Sequence, residues 1–169
     1  TSGTANESLP SSYNGLGYKN LIKMEFLLAA FAKDIEKRGV ACVPLLFIEE
    51  PESHLFPNSQ KLVMEFIALV CNGNGNQLFL TTHSPYILGT INNLLYADKV
   101  SRNVDKSELN RIISKNKWLN FDKVNAIFVQ NGKINSCLDK EFKSIENEVI
   151  DGASEQINED YDKMLELKG

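Results

Sequence analysis

The sequence has no long apolar run and no recognisable leader. Its longest strongly apolar stretches, residues 27–32 and 43–48, are far shorter than the roughly 20 residues that a membrane span needs. We therefore expect no membrane helix. Residues 1–10 lack the charged start and apolar centre of a signal peptide, and the first residue is not Met. These features favour a fragment of a longer, cytoplasmic protein.

Cysteine and histidine are also scarce. The three cysteines, Cys42, Cys71 and Cys137, are an odd number and lack the spacing of metal ligands. Buried thiols in a reducing cytoplasm are the favoured interpretation. With only two histidines in the chain, a transition-metal site is not expected.

The net charge of the chain is also small. The 169 residues carry a net charge of −4, with 43% apolar and 24% charged residues, as in an ordinary globular domain. A main function of coating nucleic acid is therefore disfavoured, although a local basic face that contacts DNA stays possible.

One stretch stands out against this ordinary background. Four large apolar residues, 45–48, are followed at once by Glu49, Glu50 and Pro51. Such a run predicts a strand buried on both faces, in a parallel sheet with helices above and below. The two carboxylates then lie at the carboxyl end of the strand, where open α/β sheets bind ligands. The alternative is a strand that leaves a core through an acidic turn.

A second strand brings another polar group to the same edge. Residues 58–70 have the apolar periodicity of a helix, and residues 77–82 predict a strand that runs into His83. A strand, a helix and a strand of these lengths form a βαβ unit, so both strand ends share one edge. We expect Glu49, Glu50 and His83 to be neighbours, with His54 a structural or interface residue.

A glycine-bearing polar loop, residues 11–20, leads into a helix predicted from Tyr18 to about Arg38, and the two overlap at the helix start. The helix start offers free N–H groups, and Gly15 and Gly17 would let an anion approach. An ordinary capped helix start is the alternative.

The carboxyl-terminal third predicts smaller elements. Asp105 can cap a helix that extends to about Lys115, and Asn131-Gly132 predicts a hairpin between strands at 124–130 and 133–137. Helical patterns cover residues 140–148 and 155–167. The expected fold class is α/β, a sheet flanked by helices with an added β-hairpin and terminal helices.

Three segments together resemble a known group of ATPases. Ile48-Glu49-Glu50-Pro51-Glu52-Ser53-His54-Leu55-Phe56-Pro57, followed by Thr81-Thr82-His83-Ser84-Pro85, resembles the Walker B, D-loop and switch-histidine segments of ABC-type ATPases of the SMC, RecF and OLD (overcoming lysogenisation defect) group. Residues 14–22 resemble the signature loop of the OLD-like form. The resemblance covers roughly residues 11–93 and implies a P-loop-NTPase-like sheet.

The resemblance implies a role for each matching residue. Glu49 matches the carboxylate that holds Mg²⁺, although this position is usually Asp. Glu50 matches the general base that orients the attacking water, with Glu52 as the next candidate, and His83 matches the histidine that touches the γ-phosphate. A separate set matches the signature positions that reach the γ-phosphate of the opposite subunit: Asn14, Gly15 and Gly17.

The Gly-x-x-x-x-Gly-Lys-Ser/Thr loop that cradles phosphates does not occur in the sequence. In the resembling family it lies far upstream, so we expect this chain to be the carboxyl-terminal part of an ATPase. The expected organisation is a disordered or vector-derived lead (1–10), part of the ATPase core (11–100) and an α+β extension of the same domain (101–169).

Two functions remain open. The first is magnesium-dependent ATP hydrolysis by a head-to-tail homodimer of the longer protein, in DNA-related or phage-defence processes. The second is a non-enzymatic, ATP-gated clamp or regulatory module.

Residues 149–155 also resemble the opening strand of a Toprim nuclease, but Asp151 stands where Glu is expected, and chance is the favoured explanation.

Overall fold

The computed structural model describes residues 15–38, 45–73, 76–146, 158–159 and 162–165. The described residues form an α/β structure of helices and small two-stranded sheets, in agreement with the predicted class. The main elements in chain order are α1 (Leu16–Arg38), β1 (Leu45–Glu49), α2 (Pro57–Asn72), β2 (Gln77–Thr81), α3 (Pro85–Val100), α4 (Lys106–Ile112), β3 (Ile127–Gln130), β4 (Lys133–Ser136), β5 (Leu138–Asp139) and β6 (Ser144–Ile145).

Strands β1 and β2 are the parallel pair that the sequence predicts. Their register runs from Leu45 opposite Gln77 to Glu49 opposite Thr81, and α2 connects them. Because parallel strands end at the same edge, the loops after Glu49 and after Thr81 lie side by side.

Helices α1, α2 and α3 share one core with the buried side of β1. Leu46 and Ile48 point into it, and each side chain is less than a tenth exposed. The helices contribute the following buried residues to the same core: Leu28, Val63, Met64, Ile67, Ala68, Ile87 and Leu94. Burial of this apolar surface is the main force that holds the βαβ unit together.

The prediction that β1 is buried on both faces is wrong. Its side chains alternate, and Leu45 and Phe47 are 62% and 58% exposed. Phe47 stacks on Phe79 of β2, with ring centroids 4.6 Å apart. The described helices pack on the face that carries Leu46 and Ile48, so the opposite, equally apolar face has no covering layer among them. An apolar run shows that a strand suits burial, but it cannot show which neighbours are present to bury it.

Helix boundaries differ modestly from those predicted. Helix α1 begins at Leu16, two residues before the predicted start, so that Gly17 lies in its first turn. Helix α3 was not predicted, although its signals are present. Ser84 caps it by accepting hydrogen bonds from the backbone N–H groups of Tyr86 and Ile87, and Pro85 occupies the first helical position.

Part of the chain after α3, within residues 119–145, packs around a second small core of Leu95, Cys137 and Ile145. Asp105 caps α4 as predicted, but the helix ends at Ile112. The predicted hairpin is confirmed as β3–β4, and Asn131 and Gly132 have the positive φ angles, 51° and 73°, that a tight two-residue turn requires.

The helix predicted for residues 140–148 is wrong over the described residues 140–146, and residues 147–148 lie outside the described part of the chain. Residues 138–145 form the short antiparallel hairpin β5–β6. Asn92 of α3 holds this hairpin: its amide donates to the carbonyl of Ile145, and its amide oxygen accepts from the N–H of Ile145. Packing of Ile145 against Leu95 and Cys137 therefore outweighs local helical propensity. Of the helix predicted for 155–167, residues 158–159 and 162–165 are helical, and the rest lies outside the described residues.

Two further sequence predictions concern membranes and thiols. Among the described residues, no helix is long and apolar enough to cross a bilayer. Cys71 and Cys137 are free thiols that are partly and fully buried, as predicted, whereas Cys42 lies outside the described residues. Burial raises the pKa of Cys71 from its ordinary 9.0 to about 11.

Candidate functional site

The two predicted carboxylates lie at the carboxyl end of β1, and both are exposed. Glu49 is the last strand residue, and Glu50 begins the following turn. The N–H of Glu50 donates to the carbonyl of Thr81 at 3.0 Å, and the carbonyl of Glu50 accepts from the N–H of Ser53 at 3.0 Å. Glu50 has a φ of 43°, in the left-handed region that residues with side chains seldom occupy. Such backbone strain concentrates at functional sites, because surrounding contacts must maintain it.

His83 and Glu50 are brought together as the sequence predicts. Nε2 of His83 lies 3.6 Å from Oε1 of Glu50, too far for a good hydrogen bond. The His83 side chain is 87% exposed and the Glu50 side chain 51%, so this pair contributes little to stability. Loose geometry of this kind is common in catalytic groups before substrate arrives.

Glu52 connects the two loops beneath this pair. Its Oε1 accepts hydrogen bonds from the hydroxyl of Thr82 at 2.7 Å and from the backbone N–H of His83 at 2.8 Å. Its Oε2 is buried and has no hydrogen-bond partner within the part of the chain that the structure describes. One oxygen of Glu52 is thus engaged by the loop after β2 and the other is shielded from solvent, an arrangement that suits a link between the loops better than a base that orients water.

A second buried connection supports the loop after β2. The hydroxyl of Ser84 donates to Oε1 of Gln60 at 2.5 Å, and Nε2 of Gln60 donates to the carbonyl of Leu55 at 2.8 Å. Ser84 and Gln60 are both buried. Sequence reasoning missed both residues. The Ser-Pro pair that starts α3 was a usable signal for Ser84, whereas nothing in the pattern of α2 distinguishes Gln60 from a surface glutamine.

The start of α1 packs on the turn after β1. The amide of Asn20 donates to the carbonyl of Ser53 at 3.3 Å, and a Cβ at Gly17 would overlap the backbone carbonyl of His54. The expectation that Gly17 lies in an open loop is therefore wrong, since it needs to be glycine for packing within the chain. Gly15 has open space around it. Asn14 lies outside the described residues.

The predicted metal ligand is available for a cation. The side chain of Glu49 is exposed and makes no hydrogen bond or ion pair to the described residues. No cluster of three or more His, Cys, Asp or Glu that could hold a metal ion occurs among those residues. Mg²⁺ commonly uses one or two carboxylates and takes its other ligands from phosphates and water. The donor set thus fits Mg²⁺ that arrives with a nucleotide.

Comparison with known proteins adds an independent observation. Residues 2–88 match the sequence profile of the AAA ATPase domain, a span that includes Glu49, Glu50 and His83. Endonuclease GajA of Bacillus cereus (strain HuB5-5) is 35% identical over 107 residues, and the match covers 54% of this chain. The chain spans only 16% of the length of that relative. No solved structure matches the chain.

Proposed function

Because this chain belongs to the AAA ATPase domain family, we propose that it carries part of an ATP-hydrolysing site within a longer protein. The observation that supports this most is the apposition of Glu50 and His83 at the carboxyl edge of a parallel sheet, beside the exposed Glu49. Ligand sites in open α/β sheets lie at this edge.

Each of the three groups has a distinct task in phosphoryl transfer. Glu49 is a ligand for Mg²⁺, which neutralises charge on the phosphates of ATP when it is bound. Glu50 orients a water and accepts its proton, and His83 donates a hydrogen bond to the γ-phosphate as negative charge develops there.

The missing parts of the site come from outside this chain. We propose that a segment upstream in the longer protein supplies the phosphate-binding loop and completes an ABC-type sheet around β1 and β2. The exposed face of Leu45, Phe47 and Phe79 supports a further packing layer there. In a head-to-tail homodimer, Asn14 and Gly15 contact the γ-phosphate bound by the opposite subunit, with Gly17 shaping the helix start that carries them.

The biological setting is proposed from the relative and from the resemblance. GajA is an endonuclease, and the resembling ATPases imply DNA-related or phage-defence processes in the cytoplasm. In this arrangement residues 11–100 are the ATPase part, and residues 101–169 are an α+β extension of the same domain, of which the described hairpin β5–β6 packs on α3.

A non-enzymatic clamp, opened and closed by ATP, is the second candidate. It would use the same nucleotide contacts and dimer. The geometry of Glu50 disfavours this candidate, because a module that only binds ATP has no need for a carboxylate opposite His83 on a strained backbone.

The test is magnesium-dependent ATP hydrolysis by the full-length protein, meaning the longer protein that carries this chain and the phosphate-binding loop. Glu50→Gln keeps the shape of the side chain and removes the proton acceptor, so turnover should fall about 10²-fold or more with ATP binding retained. Glu65→Gln is the control: this carboxylate, on α2, pairs with Lys117, and its replacement should leave turnover unchanged. Near-normal turnover of Glu50→Gln would refute the assigned base.

The 169-residue chain offers a complementary test. Without a phosphate-binding loop, its carboxylates repel a polyphosphate, and calorimetry with Mg²⁺ and ATP should show no tight binding. Micromolar affinity would show that the phosphates bind elsewhere in this chain and would contradict the proposed arrangement.

A further inference from the structure

We propose that Glu52 is a positioning residue that sets where His83 stands relative to Glu50. This inference rests on the proposed ATPase function and adds a residue to its machinery. Glu52 lies in the turn after β1, and its carboxylate holds the backbone of the loop after β2. It therefore links the segment that carries the general base to the segment that carries the histidine.

The geometry of the contact identifies what Glu52 controls. Its bond to the backbone N–H of His83 fixes the peptide to which the imidazole is attached, and leaves the imidazole itself unconstrained. The hydroxyl of Thr82 donates to the same carboxylate oxygen and also accepts from the N–H of Ser84. Thr82 and His83 thus hydrogen-bond directly to one carboxylate, and Ser84 is linked to it through the hydroxyl of Thr82. A hydrogen bond to an ionised acceptor is stronger than a neutral one, so this linkage is stiff.

One shielded oxygen of Glu52, a residue of intermediate burial, supports a specific role. One carboxylate oxygen is shielded from solvent and unpaired among the described residues, which is unfavourable for a charged group. A solvated glutamate elsewhere in the turn would avoid this cost. The side chain is therefore best explained by what it holds in place, which is the backbone at His83.

The contrast with the exposed pair explains why such a residue is needed. His83 is 87% exposed and lies 3.6 Å from Glu50, so the contact between the two side chains cannot determine the position of either. The position of a catalytic group matters for turnover, because a displacement of about 1 Å can lower the rate about 10²-fold. Glu52 holds the backbone of His83 in place, which the contact between the exposed side chains cannot do.

The test is a double-mutant cycle on ATP hydrolysis by the full-length protein. Glu52→Ala should lower kcat by about tenfold, and by no more than His83→Ala does, with little change in KM. If Glu52 acts through His83, the Glu52→Ala, His83→Ala double variant should be no slower than His83→Ala alone, within about twofold. Effects that multiply, or a Glu52→Ala variant with normal kcat, would overturn the proposal.

Conservative variants keep the test decisive if Glu52→Ala fails to fold. Glu52→Gln retains an oxygen that can accept both bonds but loses the charge, so kcat should lie between those of the parent and Glu52→Ala, and its cycle with His83→Ala replaces the first one. Thr82→Val should have a smaller effect than Glu52→Ala, because the backbone bond from His83 to Glu52 remains. A kcat for Glu52→Gln equal to that of the Glu65→Gln control would count against a positioning role.

The outcomes separate this inference from the proposed function. Absence of ATP hydrolysis by the unsubstituted full-length protein would overturn both. Hydrolysis that Glu50→Gln abolishes and that Glu52→Gln and Glu52→Ala leave unchanged would overturn only the role of Glu52.

Discussion

The edge of the β1–β2 sheet and the layer beneath it are built in opposite ways. At the edge, Glu49, Glu50 and His83 are exposed and hold one another only loosely. Beneath them, Gln60 and Ser84 are buried and joined by short hydrogen bonds that reach the backbone. The groups proposed to do chemistry are therefore free to meet a ligand, whereas Gln60 and Ser84 beneath them are already hydrogen-bonded within the chain.

This difference separates substitutions into two kinds. A change at the edge should alter turnover and leave stability unaffected, because an exposed side chain contributes little to the folded state. A change in the underlying layer should lower stability first, because it leaves a buried polar group unpaired or creates a steric overlap.

After Glu50→Gln, the largest effect on the edge side is expected from His83→Ala. Turnover by the full-length protein should fall by at least about tenfold, since a donor to the developing charge is lost. The melting temperature should not change. His54→Asn is the matched control: it replaces the other histidine of the chain with a residue that tolerates the φ of 64° at this position. Equal losses in the two variants would show that the choice of His83 is wrong.

The next largest effect is expected from Gly17→Ala, compared with Gly15→Ala. A Cβ at Gly17 overlaps the carbonyl of His54, whereas the same atom at Gly15 meets nothing. Overpacking of this kind typically costs about 1–3 kcal/mol in the free energy of unfolding, and Gly15→Ala should stay within about 0.5 kcal/mol. Urea unfolding measures both values. If the two variants were equally stable, the packing of α1 on the turn after β1 would be refuted.

A smaller effect is expected from Ser84→Ala, compared with Ser53→Ala. Ser84 caps α3 and donates to the buried Gln60, so its loss should cost about 1–2 kcal/mol in the free energy of unfolding. The hydroxyl of Ser53 donates only to the exposed Glu50, and its removal should cost less than about 0.5 kcal/mol. A Ser53→Ala variant as unstable as Ser84→Ala would contradict the expected difference in stability between the sheet edge and the layer beneath it.

The smallest effect concerns the pH dependence at Cys71. Burial raises the pKa of this thiol from 9.0 to about 11, so the folded state keeps the proton over a range where the unfolded state loses it. The resulting contribution to stability is fully present below pH 9 and is lost as the pH rises toward 11. Because the thiol is only partly buried, we expect less than about 1 kcal/mol. Urea midpoints at pH 8 and 10.5 measure it, and Cys71→Ala should abolish this component.

Much of the βαβ unit could be predicted from local pattern. The apolar run before Glu49, the helical period of α2 and the strand before His83 determine a parallel pair whose ends meet, and the distance between Glu50 and His83 agrees with that prediction. The hairpin at Asn131-Gly132 was equally readable, because few residue pairs accept the positive φ angles of such a turn.

Predictions failed where packing partners decide the outcome. Residues 140–145 have a helical pattern but form β5–β6, since Ile145 fits the small core against α3 and Asn92 holds its backbone. Burial of β1 on a single face depends in the same way on which helices are present to cover it.

The sequence by itself determined which chemical groups reach the sheet edge, because strand length and the abrupt change from apolar to charged residues are local properties. Only the tertiary structure decided which of those groups remain free. Glu50 and Glu52 are two residues apart and chemically alike, yet one is exposed opposite His83 and the other is engaged by the loop after β2. That assignment depends on donors about thirty positions away in the chain, whose approach is set by the pairing of β1 with β2.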